Sequence, residues 1–333
     1  MELKGKNILV TGGAGFIGSE LARQLCEHKA NVVVVDNLVN GKAENVATLP
    51  CRLETTDVRD EKKMRALVAG VDIVFHLACL GVRHSIHSPS ENHEVNATAT
   101  LNLLKAARTA DVKRFVYVSS SEVYGTAIRV PMPEEHPTYP MTVYGASKLA
   151  GECYTRAFHR TYDFPTVVVR PFNTYGPRCH HEGDSGEVIP KFLLRCLAGK
   201  PLVIFGDGTQ TRDFTFVEDT ARGITLAGLA EKAVGQTINI GSGFEITIND
   251  LANEVRAVLG KPNAPVTHEI PRPGDVLRLY AETSRAHELT GFKPTISLRE
   301  GLTKLRDWYL SSGKSPEELL KDEVVRNWEV ARV

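Results

Sequence analysis

The chain has 333 residues, 40 Lys and Arg against 40 Asp and Glu, 42% apolar residues and six cysteines. That length buries a substantial core in two lobes or one large α/β domain, which excludes a disordered chain. Zero formal charge without a basic block excludes a partner gripped through its phosphate backbone, whether nucleic acid or anionic lipid, and points to a small ligand.

Met1–Asn7 carries charge of both signs and runs straight into a strand-like segment, so no secretory leader is expected. The apolar run Asn31–Asp36 falls far below the roughly 20 residues of a membrane helix, and a cytosolic chain with no membrane partner is expected. The cysteines lie far apart with no Cys-x-x-Cys pair, so reduced thiols are expected. Cys179-His180-His181-Glu182 reads as a polar loop, because adjacent side chains rarely converge on one ion; no metal site is expected.

In chain order, short β-branched runs alternate with longer segments whose apolar residues recur at helical spacing. Strands are predicted at Asn7–Thr11, Asn31–Asp36, Asp72–His76, Arg114–Ser119 and Thr166–Arg170, and helices at Gly15–His28, Glu61–Ala69, Asn96–Ala110 and Val143–Tyr162. This is the pattern of an α/β fold with a doubly wound parallel sheet. The alternation fades after Thr166–Arg170. A first domain over 1–174 and a smaller C-terminal α/β lobe over 175–333 are therefore expected, some chain crossing back to the sheet. Helices in the second lobe are predicted at Ser185–Ala198, Ile248–Leu259 and Ser297–Ser311.

Thr11-Gly12-Gly13-Ala14-Gly15-Phe16-Ile17-Gly18 follows the first strand and opens a helix. Glycines there let a pyrophosphate approach backbone N–H groups at the positive helix end, and the last allows close helix packing. Asp36, with Asn37 beside it, ends the second strand; its carboxylate accepts from ribose hydroxyls and repels a 2′-phosphate, favouring NAD over NADP. Gly12, Gly15, Phe16, Ile17 and Gly18 form the candidate cofactor turn. Asp57 and Val58 either face the adenine ring or begin an ordinary helix.

Tyr144-Gly-Ala-Ser-Lys148 lies in a predicted helix, and a separation of four places phenol and ammonium on one face. A free phenol has a pKa near 10, too high for a base at neutral pH. A cation about 4 Å away in a medium of dielectric about 20 favours the phenolate by about 4 kcal/mol, roughly 3 pK units. Lys148 is therefore expected to bring Tyr144 into working range. Val118-Ser119-Ser120-Ser121-Glu122-Val123-Tyr124-Gly125 stands at the carboxyl end of a predicted central strand, where ligands of open α/β sheets bind.

With these motifs on the page, and with His76-Leu77-Ala78, Asn96 and Arg170-Pro-Phe-Asn-Thr-Tyr-Gly-Pro177 added, the sequence resembles the extended short-chain dehydrogenase/reductase family, the NAD-dependent nucleotide-sugar epimerases and dehydratases, from Asn7 to about Trp308. The resemblance implies a Rossmann-type sheet, retained NAD and a homodimer built on the helices at Asn96–Ala110 and Val143–Tyr162. It implies that Tyr144 takes a proton from the C4 hydroxyl of a sugar, that Lys148 also binds the nicotinamide ribose, and that Ser120 hydrogen-bonds the sugar oxygen. Leu77, Ala78 and Asn96 would line the cofactor channel.

Three fates follow a 4-keto sugar: return of hydride to the other face, loss of the C6 hydroxyl after removal of the C5 proton, or loss of carbon dioxide from a uronic acid. Dehydratases that resemble this chain typically carry Thr-Asp-Glu at the strand end, the Asp as acid and the Glu as base, while some dehydratases of N-acetylated UDP-sugars and the UDP-glucuronate decarboxylases carry a similar Thr-Ser-Glu; here the triplet is Ser120-Ser121-Glu122. Retention of Glu122 favours a 4,6-dehydratase of a UDP- or dTDP-hexose. A UDP-hexose 4-epimerase, a UDP-glucuronate decarboxylase and a non-catalytic NAD-binding sensor or scaffold are the alternatives. The family pattern places Asn173, Val188, Lys191, Val203, Phe205, Arg212, Arg272 and Asp275 in the nucleotide-sugar pocket, with the two arginines as a diphosphate clamp. Val82–Ile86 reads either as a mobile loop or as a segment over the sugar, where Arg83 or His84 would select a carboxylate or acetamido group.

Overall fold

The protein, here a computed structural model, is described over residues 2–183, 186–272 and 276–326. Its first half supplies β1 (Asn7–Thr11), β2 (Asn31–Asp36), β3 (Arg52–Thr55), β4 (Ile73–His76), β5 (Arg114–Val118) and β6 (Thr166–Pro171). With Thr237–Ile240 they form one seven-stranded sheet, in the order Thr237–Ile240, β6, β5, β4, β1, β2, β3. Every pairing is parallel. All residues of β5 and β6 are buried, as a sheet covered by helices on both faces requires, which is why these strands read as continuous Val-rich runs. The strand order reverses between β1 and β4, and the crevice outside the carboxyl ends opens there.

The chain returns to this sheet through Val217–Leu229 and Thr237–Ile240, neither of which was predicted. Val217–Leu229 is buried nearly all round, so no polar face marks its period. It packs against the helix Phe16–Glu27, where Gln24 Nε2 donates to the Glu218 carbonyl at 2.9 Å, and its Ala221, Ile224 and Ala227 share a core with Leu21 and Leu25. The short strand Thr237–Ile240 lies outside the alternating region that the motifs cover.

A separate core gathers Tyr175, Phe192, Leu193, Phe216, Leu251, Leu305 and Tyr309. Around it lie the helices Val188–Leu197, Ile248–Val258 and Leu298–Ser311, with Leu202–Phe205 paired in parallel to Val266–Glu269. Three predicted boundaries need correction. The helix expected from Ser185 is seen from Val188, Ser185 lying outside the described residues. The helix expected from Asn96 runs as Ala99–Thr109 behind a π turn at Glu94–Thr98. Val82–His87 is helical rather than a loop.

Candidate active site

Two adjoining cavities open at the crevice. The first, about 570 Å³, starts at the glycine turn after β1 and ends at Tyr144 and Lys148. Gly12 has φ +68°, and a Cβ there would sit 2.7 Å from the Ala78 amide nitrogen; a Cβ on Gly18 would meet the Gly12 carbonyl oxygen at 2.1 Å. Only glycine fits both places. The helix Phe16–Glu27 begins at Gly15 with no side chain capping its first-turn N–H groups. Asp36 is buried; its two oxygens accept from the Ala14 and Leu38 amides at 3.0 and 2.9 Å, which fixes the carboxylate and leaves each oxygen a second lone pair. An uncapped helix start, a cradle that a Cβ would fill and a fixed carboxylate together fit a dinucleotide.

Of the residues expected at the cofactor, Gly12, Gly15, Phe16, Ile17, Gly18, Asp36, Asn37, Val58, Leu77, Ala78, Tyr144 and Lys148 line this cavity, as do Ser120, Ser121 and Glu122. Two expected residues do not. Asp57 is held by Arg59 and Asn37, and these bonds, Arg59 foremost, bring its pKa down to about 2. Asn96 is buried behind the wall: it bonds Leu80 through both its oxygen and its amide, and donates to Asn92 and Ser147. Ser147 in turn donates to Asn92, so this network braces the helix Val143–Tyr162 against the π turn.

Tyr144 and Lys148 lie one turn apart on Val143–Tyr162, whose first turn is capped by the Thr142 hydroxyl accepting from the Gly145 amide. The buried Lys148 ammonium donates to the Val118 carbonyl at 2.7 Å and stands 5.0 Å from the centre of the Tyr117 ring. Burial pushes the Lys148 pKa down. Burial also pushes Tyr144 well above its ordinary value; Cys79, Glu122 and Glu187 add to the rise, and a hydrogen bond with Ser120 opposes it. Burial is thus the largest influence on the phenol in the chain by itself, while the Lys148 ammonium, whose bond to a neutral carbonyl leaves its charge intact, stands one helical turn away.

The second cavity, about 400 Å³, is lined by Arg83, Asn173, Val188, Lys191, Val203, Phe205, Arg212 and Arg272. Asp275 lies outside the described residues. Arg212 Nη1 donates to the Thr211 and Val276 carbonyls, both at 2.7 Å, and the Arg272 guanidinium stands 5.6 Å from the centre of the Phe205 ring. Lys191 donates to the Val324 carbonyl, and burial brings its pKa down to about 8. Asn173 Oδ1 is buried without a hydrogen-bond partner. Glu122, Arg83, Asn173 and Glu187 line both cavities and so stand where they meet. Sequence reasoning missed Glu187, whose only local signal was an acidic residue just before a predicted helix interior.

Comparison with known proteins agrees with this geometry. The model of the NAD dependent epimerase/dehydratase family matches residues 8–241, and the chain belongs to that family. It is an NAD-dependent enzyme of nucleotide-sugar chemistry. A putative UDP-glucose 4-epimerase of Methanocaldococcus jannaschii is 35% identical over 92% of this chain and 100% of its own length. The crystal structure of UDP-glucose 4-epimerase from Thermotoga maritima with UDP-glucose superposes with a TM-score of 0.87 at 34% identity, covering 92% of this chain and 100% of that one. The dTDP-glucose 4,6-dehydratase DesIV of Streptomyces venezuelae, with NAD and TYD bound, has a TM-score of 0.85 at 34% identity, covering 92% and 97%.

Proposed function

We propose that the chain is a UDP-hexose 4-epimerase. The observation that carries this reading is that Tyr144, Ser120 and Lys148 stand together at the end of the dinucleotide cavity while Ser121 stands where the Thr-Asp-Glu dehydratases have their acid. Similarity to UDP-glucose 4-epimerases across nearly the whole chain supports it. Bound NAD supplies a hydride acceptor and, when oxidised, a positive charge. The chain's own part is to hold the sugar and move its C4 hydroxyl proton. Ser120 orients the hydroxyl oxygen, Tyr144 takes the proton and later returns it, and Lys148 keeps the helix seated on β5 and binds ribose. Epimerisation needs nothing more than a ketone able to turn within the pocket, so no further acid is required.

A 4,6-dehydratase is the second reading, favoured by Glu122 in the shared wall beside Tyr144. Incubation with UDP- and dTDP-hexoses followed by mass spectrometry and sugar analysis separates the two: a new sugar at unchanged mass supports the epimerase, and loss of water supports the dehydratase. Loss of carbon dioxide from UDP-glucuronate would overturn both. Tyr144→Phe abolishes turnover on either reading. We read the chain as a homodimer through Ala99–Thr109 and Val143–Tyr162, where Val143 and Tyr162 are exposed, to be checked by light scattering. Its six free cysteines suit the reducing cytosol.

A further inference from the structure

Arg212, which lines the second cavity, sits on a strand of only two residues, Thr211–Arg212, flanked by Ile246–Thr247 running antiparallel and Arg278–Leu279 running parallel. So short a ladder holds little by itself. The next residue, Asp213, is 0% exposed and lines neither cavity, yet its carboxylate gathers four donors from the chain beside both outer strands. Oδ1 accepts from the Ser242 amide at 2.8 Å and the Ser242 hydroxyl at 2.6 Å; Oδ2 accepts from the Gly243 amide at 3.1 Å and the Ala281 amide at 3.2 Å. A Cβ on Gly241 would sit 2.9 Å from Oδ2, so glycine lets this loop close over the carboxylate. Burial pushes the Asp213 pKa up, and the same donors oppose the rise. The guanidinium of Arg212 is in turn held by the Val276 carbonyl, which belongs to the segment that Asp213 grips at Ala281.

We propose that Asp213 is a positioning residue of the nucleotide-sugar pocket: it fixes the segments on either side of Arg212 and so holds that guanidinium toward the substrate diphosphate. The inference rests on the nucleotide-sugar reading, in which Arg212 meets the diphosphate, and adds the group that orients it. An amide in place of the carboxylate turns one acceptor into a donor and sets it against one of the two donor pairs, so Asp213→Asn loosens a flanking segment. Asp219 is the matched contrast. Its carboxylate, on a residue 1% exposed, accepts from the Thr295 and Ile296 amides at 2.8 and 2.9 Å but lines neither of the two cavities.

The test is calorimetric titration of the NAD-loaded full chain with UDP and with dTDP, for the wild type, Asp213→Asn, Asp219→Asn, Arg212→Ala and the Asp213→Asn, Arg212→Ala double variant, with bound NAD read by absorbance. Asp213→Asn is expected to weaken nucleotide binding about tenfold or more, as loss of one hydrogen bond to a charged group does, with NAD content unchanged. Asp219→Asn should stay within about twofold of the wild type, as a distant independent site does. Added to Arg212→Ala, Asp213→Asn should cost less than about threefold more, because a residue acting through Arg212 then has nothing left to position. If Asp213→Asn does not fold, Ser242→Ala, which deletes one of the four donors, should still weaken binding about threefold. Unchanged affinity in Asp213→Asn, or in Ser242→Ala where that variant stands in, overturns the inference, as do equal losses in the Asp213 and Asp219 variants or full additivity with Arg212→Ala. Those outcomes leave the nucleotide-sugar reading standing, whereas a wild type that binds neither nucleotide overturns both.

Discussion

The Lys148 ammonium and the Val118 carbonyl are joined by a 2.7 Å hydrogen bond that ties the helix carrying Tyr144 to the carboxyl end of β5. The bond has a structural weight separate from catalysis, because a buried carbonyl left without its donor costs about 1–3 kcal/mol. Lys148→Met is expected to lower unfolding free energy by that amount in urea, and to reduce turnover by two orders of magnitude or more. An unchanged urea midpoint would show that the bond does not brace the helix.

One turn beyond Lys148, Glu152 accepts from Arg170 on β6 at 2.8 and 2.6 Å; Glu152 is 0% and Arg170 2% exposed. Breaking such a pair strands a buried charge, so Glu152→Gln is expected to cost about 3–5 kcal/mol. Although burial opposes it, the pairing with Arg170 holds the Glu152 pKa below its ordinary value. The pair's contribution is then full above the unfolded carboxylate pKa, about 4.3, and is lost as pH falls through the lower folded value. Urea melts between neutral and acid pH should show this loss in the wild type and not in Glu152→Gln.

His76 is locked in one neutral form. The Thr100 hydroxyl donates to the Asn96 carbonyl at 2.8 Å, so it accepts from His76 Nε2 at 2.9 Å, and His76 Nδ1 accepts from the Thr11 hydroxyl at 2.7 Å. Burial first, and then Lys148, bring its pKa down to about 3. Between the unfolded value, about 6.5, and that folded value, only the unfolded chain binds the proton, so stability falls with pH by up to about 1.4 kcal/mol per unit. His76→Gln should remove that slope, and nitrogen NMR of the imidazole should show an Nε2–H tautomer at neutral pH.

Glu122 separates the two fates of a 4-keto sugar. Epimerisation needs no second base, so Glu122→Gln should leave the exchange of C4 configuration within about tenfold of the wild type. Any elimination of water should fall about 10²–10⁴-fold, the usual contribution of a general base. Product analysis of the variant beside the wild type reads both. Parallel loss of both activities would show that Glu122 acts on the first oxidation.

Much of the site was legible because its signals are local. Gly12, Gly15, Phe16, Ile17, Gly18 and Asp36 belong to a single strand, helix and strand, and all of them line the cofactor cavity. The four-residue step from Tyr144 to Lys148 needs only a helix to set it. Asp57 and Asn96 were harder, since the same residue types serve equally as ligand contacts or as struts, and here Arg59, Leu80 and Ser147 take their bonding capacity.

Periodicity and short motifs sufficed for the parallel sheet, the glycine turn and the Tyr144–Lys148 face, since each is settled by contacts within a few residues of chain. The return of Thr237–Ile240 to the sheet edge, the commitment of Lys148 to Val118 and the meeting of Glu122 with Glu187 join segments 30 to 70 residues apart. The surroundings that push the Tyr144 pKa up, Cys79, Glu122 and Glu187 among them, likewise come from distant segments. Desolvation and Coulomb fields act through space, and only the packed chain decides which charges share one cavity.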